Sequence, residues 1–250
     1  MEVSLSRKMV AEFIGTFALV LCGPGTAAAT FMFLNGQKDT PTAYAFDMAH
    51  LGVISFAFMM VIVAIIYAIG HISGCHINPA VTIALAAAKK CPWSDVPGYL
   101  AAQFAGGIAG AYAIWGVLGD AGKEAGLGVL SYTSGNTGHA FFAELIGTFL
   151  LVFVVFGTAT DSRATPGWYG LAIPAIVFAV ITVVGPTTGA ALNPARYIGP
   201  FIAAGTLGVD GLHVEQIPIY FIATFLAGLI AAAVYAYVGA TSPAAAPDRV

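Results

Sequence analysis

Six blocks of mainly apolar residues follow one another along this 250-residue chain, at about 9–34, 49–71, 93–118, 138–160, 168–186 and 215–238. Each comes close to or exceeds the roughly 20 residues that a helix needs to cross a bilayer core. Only 8% of the residues are charged, against about 25% in an ordinary soluble domain, so a water-facing exterior cannot be assembled. The expectation is an all-α membrane protein of six spans, with the lipid bilayer as its surroundings. Nine basic and twelve acidic residues leave a net charge of −3, which offers no basic field for nucleic acid.

Arg7 and Lys8 precede the first block, Lys89 and Lys90 lie between the second and third, Arg163 between the fourth and fifth, and Arg249 near the end. With six spans these fall on one side, opposite Lys38 and Lys123, and the positive-inside rule puts both termini in the cytoplasm. The first block exceeds a signal-peptide core of about 7–15 apolar residues and is read as a retained span. Three cysteines lack paired spacing, which indicates neither a disulfide framework nor zinc; Cys22 and Cys91 are expected to be small packing residues. Residues 242–250, rich in Pro and Ala, read as a disordered tail, and the 35–48 connection is long enough to cap the outer mouth.

The segment Ala11-Glu12-Phe13-Ile14-Gly15-Thr16-Phe17 recurs as Ala143-Glu144-Leu145-Ile146-Gly147-Thr148-Phe149. Each copy opens a span, so the chain reads as one membrane domain built from two repeats, about 9–118 and about 138–238. With three spans per copy, the second enters the membrane from the opposite face. After the second span of each copy comes an Asn-Pro-Ala turn, Asn78-Pro79-Ala80 and Asn193-Pro194-Ala195. Asn suits a helix N-cap and Pro the first helical position, where its missing N–H costs nothing. The pieces that follow, about 78–88 and 193–204, span only ~17 Å at ~1.5 Å per residue, about half the hydrocarbon core. Two half-helices are expected to meet N-terminus to N-terminus near the midplane.

The segments His71-Ile72-Ser73-Gly74-Cys75-His76-Ile77-Asn78-Pro79-Ala80-Val81-Thr82 and Thr188-Gly189-Ala190-Ala191-Leu192-Asn193-Pro194-Ala195-Arg196 resemble the two signature loops of the aquaporin, or major intrinsic protein, family. The resemblance implies a right-handed bundle of six helices plus two re-entrant half-helices, usually a homotetramer with one pore per subunit, in the cell membrane. It implies pore-facing carbonyls on Gly74, Cys75 and His76 and on Gly189, Ala190 and Ala191. Asn78 and Asn193 would each donate to one passing water, and Arg196 would stand in a constriction with Phe58, Ile181 and Ala190. Glu12 and Glu144 would accept hydrogen bonds from the half-helix loops. Small residues such as Gly106, Gly107, Gly110 and Gly228 would permit close helix crossing.

The expected activity is passive conduction of water and small uncharged solutes, with protons and ions excluded, no cofactor, no metal and no catalysis. Water-selective members usually carry His where this chain has Ile181. Glycerol-conducting members usually carry Asp after the Arg, where this chain has Tyr197, and an altered pair where it has Tyr220-Phe221. A glycerol facilitator of the same fold is therefore the near alternative. A secondary transporter is the distant one, with only Glu12 and Glu144 to serve as coupling carboxylates. Gly23-Pro24-Gly25-Thr26-Ala27-Ala28 mimics a dinucleotide fingerprint but sits in a membrane span, not at a strand-to-helix turn. His71, Cys75 and His76 lack the fourth ligand and the paired spacing of a metal site.

Overall fold

A computed structural model describes residues 3–37 and 45–240. The expected tail and residues 38–44 of the 35–48 connection lie outside these described residues. Within them the regular structure is helical: α1 (Leu5–Asn35), α2 (Met48–Ser73), α3 (Pro79–Ala87), α4 (Val96–Glu124), α5 (Thr137–Val155), α6 (Tyr169–Thr188), α7 (Pro194–Thr206) and α8 (Ile217–Val238). A π-turn at Phe156–Thr160 prolongs α5. Six of these helices are long and apolar enough to cross a membrane. Their outward faces carry large apolar side chains such as Val53, Phe56, Phe142, Val183 and Ile222, as a lipid-facing surface requires.

The short helices α3 and α7 begin as their local chemistry dictates. Asn78 Oδ1 caps the Ala80 N–H at 2.9 Å, and Asn193 Oδ1 caps Ala195 at 2.9 Å and Arg196 at 3.3 Å. Pro follows each cap. The two half-helices have 9 and 13 residues.

Packing crosses between the repeats. Helix α7, from the second repeat, lies on α4 of the first, and α3 lies on α8. The α4–α7 crossing is a backbone contact: a Cβ on Gly107 would sit 2.6 Å from the Ala195 carbonyl oxygen, and one on Gly199 would sit 2.5 Å from the Gly107 carbonyl. At the α3–α8 crossing a Cβ on Gly228 would lie 3.0 Å from the Ala80 oxygen. Gly106 and Gly110 admit the Phe13 and Phe17 carbonyls where α1 meets α4. In lipid, where apolar surface gains little from hiding, such small-residue approach is what helix association runs on. Each half-helix is thus packed against a helix of the other repeat.

Cys22, expected to pack, is exposed, whereas Cys75 and Cys91 are buried.

Candidate functional site: a pore between two half-helices

The repeated Ala-Glu-x-Ile-Gly-Thr-Phe segments organise the centre. Glu12 Oε1 accepts from the Ser73 hydroxyl at 2.6 Å and the His76 N–H at 2.9 Å, while Oε2 accepts from the Ile77 N–H at 2.6 Å and Gln103 Nε2 at 2.8 Å. Glu144 does the same on its side. Its Oε1 accepts from the Thr188 hydroxyl at 2.6 Å and the Ala191 N–H at 2.8 Å, and its Oε2 from the Leu192 N–H at 2.8 Å. Both glutamates are 0% exposed. Every partner is a donor, which suits an acceptor-only carboxylate. One turn on, Gly15 and Gly147 leave room for Ile77 and Leu192, whose side chains would lie 2.6 and 2.7 Å from a Cβ there.

These bonds hold an unusual backbone. Gly74 and Gly189 end α2 and α6 in the left-handed region, and Cys75, Ile77, Ala190 and Leu192 follow with φ of 51°, 44°, 53° and 54°. A β-branched residue such as Ile77 is rare there and persists only where its surroundings hold it. Alternation of this kind turns successive carbonyls out of any helix. Among the described residues, the carbonyls of Gly74, Cys75, His76, Gly189, Ala190 and Ala191 accept no protein hydrogen bond beyond helix-internal ones. The flanking carbonyls are taken: Tyr99 Oη donates to Ser73 O at 2.7 Å and Tyr220 Oη to Thr188 O at 2.9 Å.

The two caps also reach across the midplane. Asn78 Nδ2 donates to the Leu192 carbonyl and Asn193 Nδ2 to the Ile77 carbonyl, both at 2.8 Å. Each amide group has two hydrogens, so one locks the opposite loop and the other is left for the space between them. This adds a loop-locking bond to the expected donation of one amide hydrogen from each Asn to a passing water.

Between the loops and the opposite wall runs a cavity of about 340 Å³. Phe58, Ile62, Ile66 and Gly70 of α2 line it at four-residue spacing, as do Tyr169, Ile173, Val177 and Ile181 of α6. That repeat is one face of each helix, so one wall is a largely apolar stripe and the other carries the loop residues Gly74 to Asn78 and Ala190 to Asn193. Phe58, Ile181, Ala190 and Arg196 all line it, and Lys90 and Thr160 line it as well. Gly189 does not. A Cβ on Gly189 would strike Leu130, and its φ of +77° makes the left-handed turn that ends α6. Pro79, Ala80, Pro194 and Ala195 are also absent from the lining; they start the half-helices and pack behind them.

Arg196 is 2% exposed. Its Nη1 donates to the Gly128 carbonyl at 3.2 Å and its Cζ lies 5.3 Å from the Phe58 ring centroid, while Nε has no protein partner. No group of three His, Cys, Asp or Glu side chains converges among the described residues. His76 Nδ1 lies 3.1 Å from the Thr82 hydroxyl.

Ser73, Thr188, Tyr99, Gln103 and Gly128 belong to this site, yet the motifs assign none of them a role, although Ser73 and Thr188 fall inside the two signature loops. Ser73 and Thr188 each stand directly before the loop glycine and five residues before the Asn, so aligning the two Asn-Pro-Ala turns pairs them. Gly128 lies in a connection with no counterpart, and its role is visible only in three dimensions.

A bundle of membrane-length helices, with a cavity flanked by two facing half-helices and a buried arginine in its wall, defines an integral membrane pore protein. The chain belongs to the major intrinsic protein family, whose sequence profile matches residues 1–235. It is 40% identical over 245 residues to a protein of Archaeoglobus fulgidus described as a probable aquaporin AqpM, covering 95% of this chain and 98% of that one. It is 41% identical over 246 residues to aquaporin AqpM of Methanothermobacter thermautotrophicus, covering 94% and 98%. In fold it matches the X-ray structure of the aquaglyceroporin from Plasmodium falciparum with a TM-score of 0.75 at 23% identity, covering 93% of this chain and 96% of that one.

Proposed function

We propose that this protein is a passive channel for water and small uncharged solutes that excludes protons and ions. The observation that carries the reading is the two-faced cavity, with unpartnered loop carbonyls opposite an apolar stripe. Water entering in single file gives up most of its hydrogen bonds. The carbonyls of Gly74, Cys75, His76, Ala190 and Ala191 replace some of them, and the α2 and α6 stripe keeps it from binding tightly.

At the midplane the free amide hydrogens of Asn78 and Asn193 donate to one water oxygen. Both its lone pairs are then occupied, so it accepts no proton from a neighbour. The facing N-termini of α3 and α7, each equivalent to roughly +0.5 charge, oppose cations. With Arg196 they form a barrier of the kind established for aquaporin-type pores. The working form is a homotetramer in the cell membrane, both termini cytoplasmic, with Arg196 toward the outside and Lys90 toward the inside.

The chemistry of the constriction favours a second reading of the same channel. Phe58, Ile181 and Ala190 bring one aromatic and two aliphatic groups beside a single arginine. That ring offers glycerol both a carbon-facing wall and a donor. Stopped-flow shrinkage of proteoliposomes in an impermeant osmolyte tests the water reading, with fast flow of low activation energy expected and no dependence on an ion gradient. A rate equal to that of empty vesicles overturns it. Replacing the osmolyte with glycerol tests the second reading; vesicles that shrink and do not re-swell discard it.

A further inference from the structure

Helix α1 runs unbroken from Leu5 to Asn35 through Gly23-Pro24-Gly25, all three buried. A proline inside a helix removes one backbone hydrogen bond and crowds the preceding turn, and glycine there weakens the helix further. None of the three lines the cavity, so the pore described above has no use for them directly. Their neighbours do. A Cβ on Gly23 would lie within 2.7 Å of three carbons of the Phe58 ring. The same ring is 5.3 Å from the Arg196 guanidinium carbon. Pro24 packs against Gly128, where a Cβ would lie 2.6 Å from the proline Cβ and from its oxygen. Gly128 has φ +77° and presents its carbonyl to Arg196 Nη1 at 3.2 Å.

Two adjacent residues of α1 therefore reach Arg196 by two separate routes. We propose that Gly23-Pro24 is the back wall of the constriction and sets its aperture. Gly23 allows the Phe58 ring to withdraw from the lumen, and Pro24 seats the carbonyl that holds Arg196 in place. The inference rests on reading Phe58 and Arg196 as the constriction. Carbon atoms not bonded to each other rest about 3.5–4.0 Å apart, so a methyl at position 23 displaces the ring by about 1 Å. With α1 behind it, the ring moves toward Arg196 and the cavity. A water is about 2.8 Å across, and a shift of that size matters most to a solute wider than water.

The test uses the full chain in proteoliposomes, with Gly23→Ala, Phe58→Leu and the double variant compared with wild type. Water permeability, its activation energy and glycerol re-swelling are measured per folded protein. Gly23→Ala is expected to lower glycerol flux about tenfold relative to water, the size of a modest overpacking cost, and to raise the activation energy for water. Adding Phe58→Leu removes the clash. The double variant should then match Phe58→Leu alone within about twofold and regain its melting temperature, the non-additivity expected of touching residues. The activation energy serves if wild type passes no glycerol. Should Gly23→Ala depress both fluxes in proportion with an unchanged activation energy, the glycine is only structural and the proposal falls. Should Phe58→Leu change selectivity while Gly23→Ala does not, the constriction stands and the back wall is wrong. Should Phe58→Leu change neither selectivity nor activation energy, the constriction itself is misplaced and the inference goes with it.

Discussion

Replacing Glu144 by Gln isolates the strut under the second half-helix loop, because the side chain keeps its shape and loses one acceptor. In the structure Oε1 receives the Thr188 hydroxyl and the Ala191 N–H, and Oε2 receives the Leu192 N–H. A glutamine oxygen can retain the first two. Its NH₂ then faces the Leu192 N–H, donor against donor, at a site fully shielded from water. A hydrogen bond to a charged group is worth about 1.5–3 kcal/mol, and an orphaned buried donor costs about 1–3 kcal/mol. The expected loss is thus about 2–3 kcal/mol of stability, concentrated on a loop already held at positive φ at Ala190 and Leu192. Relaxation there moves Ala190 and, through the Asn193 cap, Arg196. Thermal unfolding of the purified protein and stopped-flow water flux per folded protein measure the two consequences, and both should fall. A variant that melts and conducts like wild type would refute the strut, because either orientation of the amide sets its NH₂ against the Ala191 or the Leu192 N–H.

Two further outcomes follow from single sites. Cys75 lines the cavity three residues before Asn78, so a mercurial should block water flow several-fold in wild type and leave Cys75→Ser unaffected; equal block of both would place the reactive thiol elsewhere. Asp161 accepts from the Arg163 guanidinium and backbone N–H and from the Tyr235 hydroxyl, with the guanidinium the main cause holding its carboxyl well below the usual carboxylate range. A depressed carboxyl stabilises fully above the ordinary value of about 3.9 and loses that contribution only as pH falls further. Asp161→Asn should therefore melt lower than wild type by a constant margin from about pH 5 to 8, and a margin already shrinking between pH 7 and 5 would contradict the pairing.

The parts of this molecule legible from its residues are those set by local chemistry. Span length follows from bilayer thickness, the inverted repeat from two matching segments, and the half-helices from Asn and Pro at positions where a helix start tolerates them. Even so, the signature loop groups Gly189 with Ala190 and Ala191, and only the structure shows that the latter two line the cavity while Gly189 turns the chain at the end of α6. The structure alone decides how the repeats interlock. Gly107 meets Ala195 and Gly199, Asn78 reaches Leu192, and Asn193 reaches Ile77. Such pairings depend on how closely two backbones approach and on the rotation of each helix, and helical periodicity gives a face without naming what it meets. The Gly23-Pro24-Gly25 segment is the clearest case. In sequence it resembles a misplaced nucleotide fingerprint, and only the positions of Phe58 and Gly128 around it give those residues a physical reason to be there.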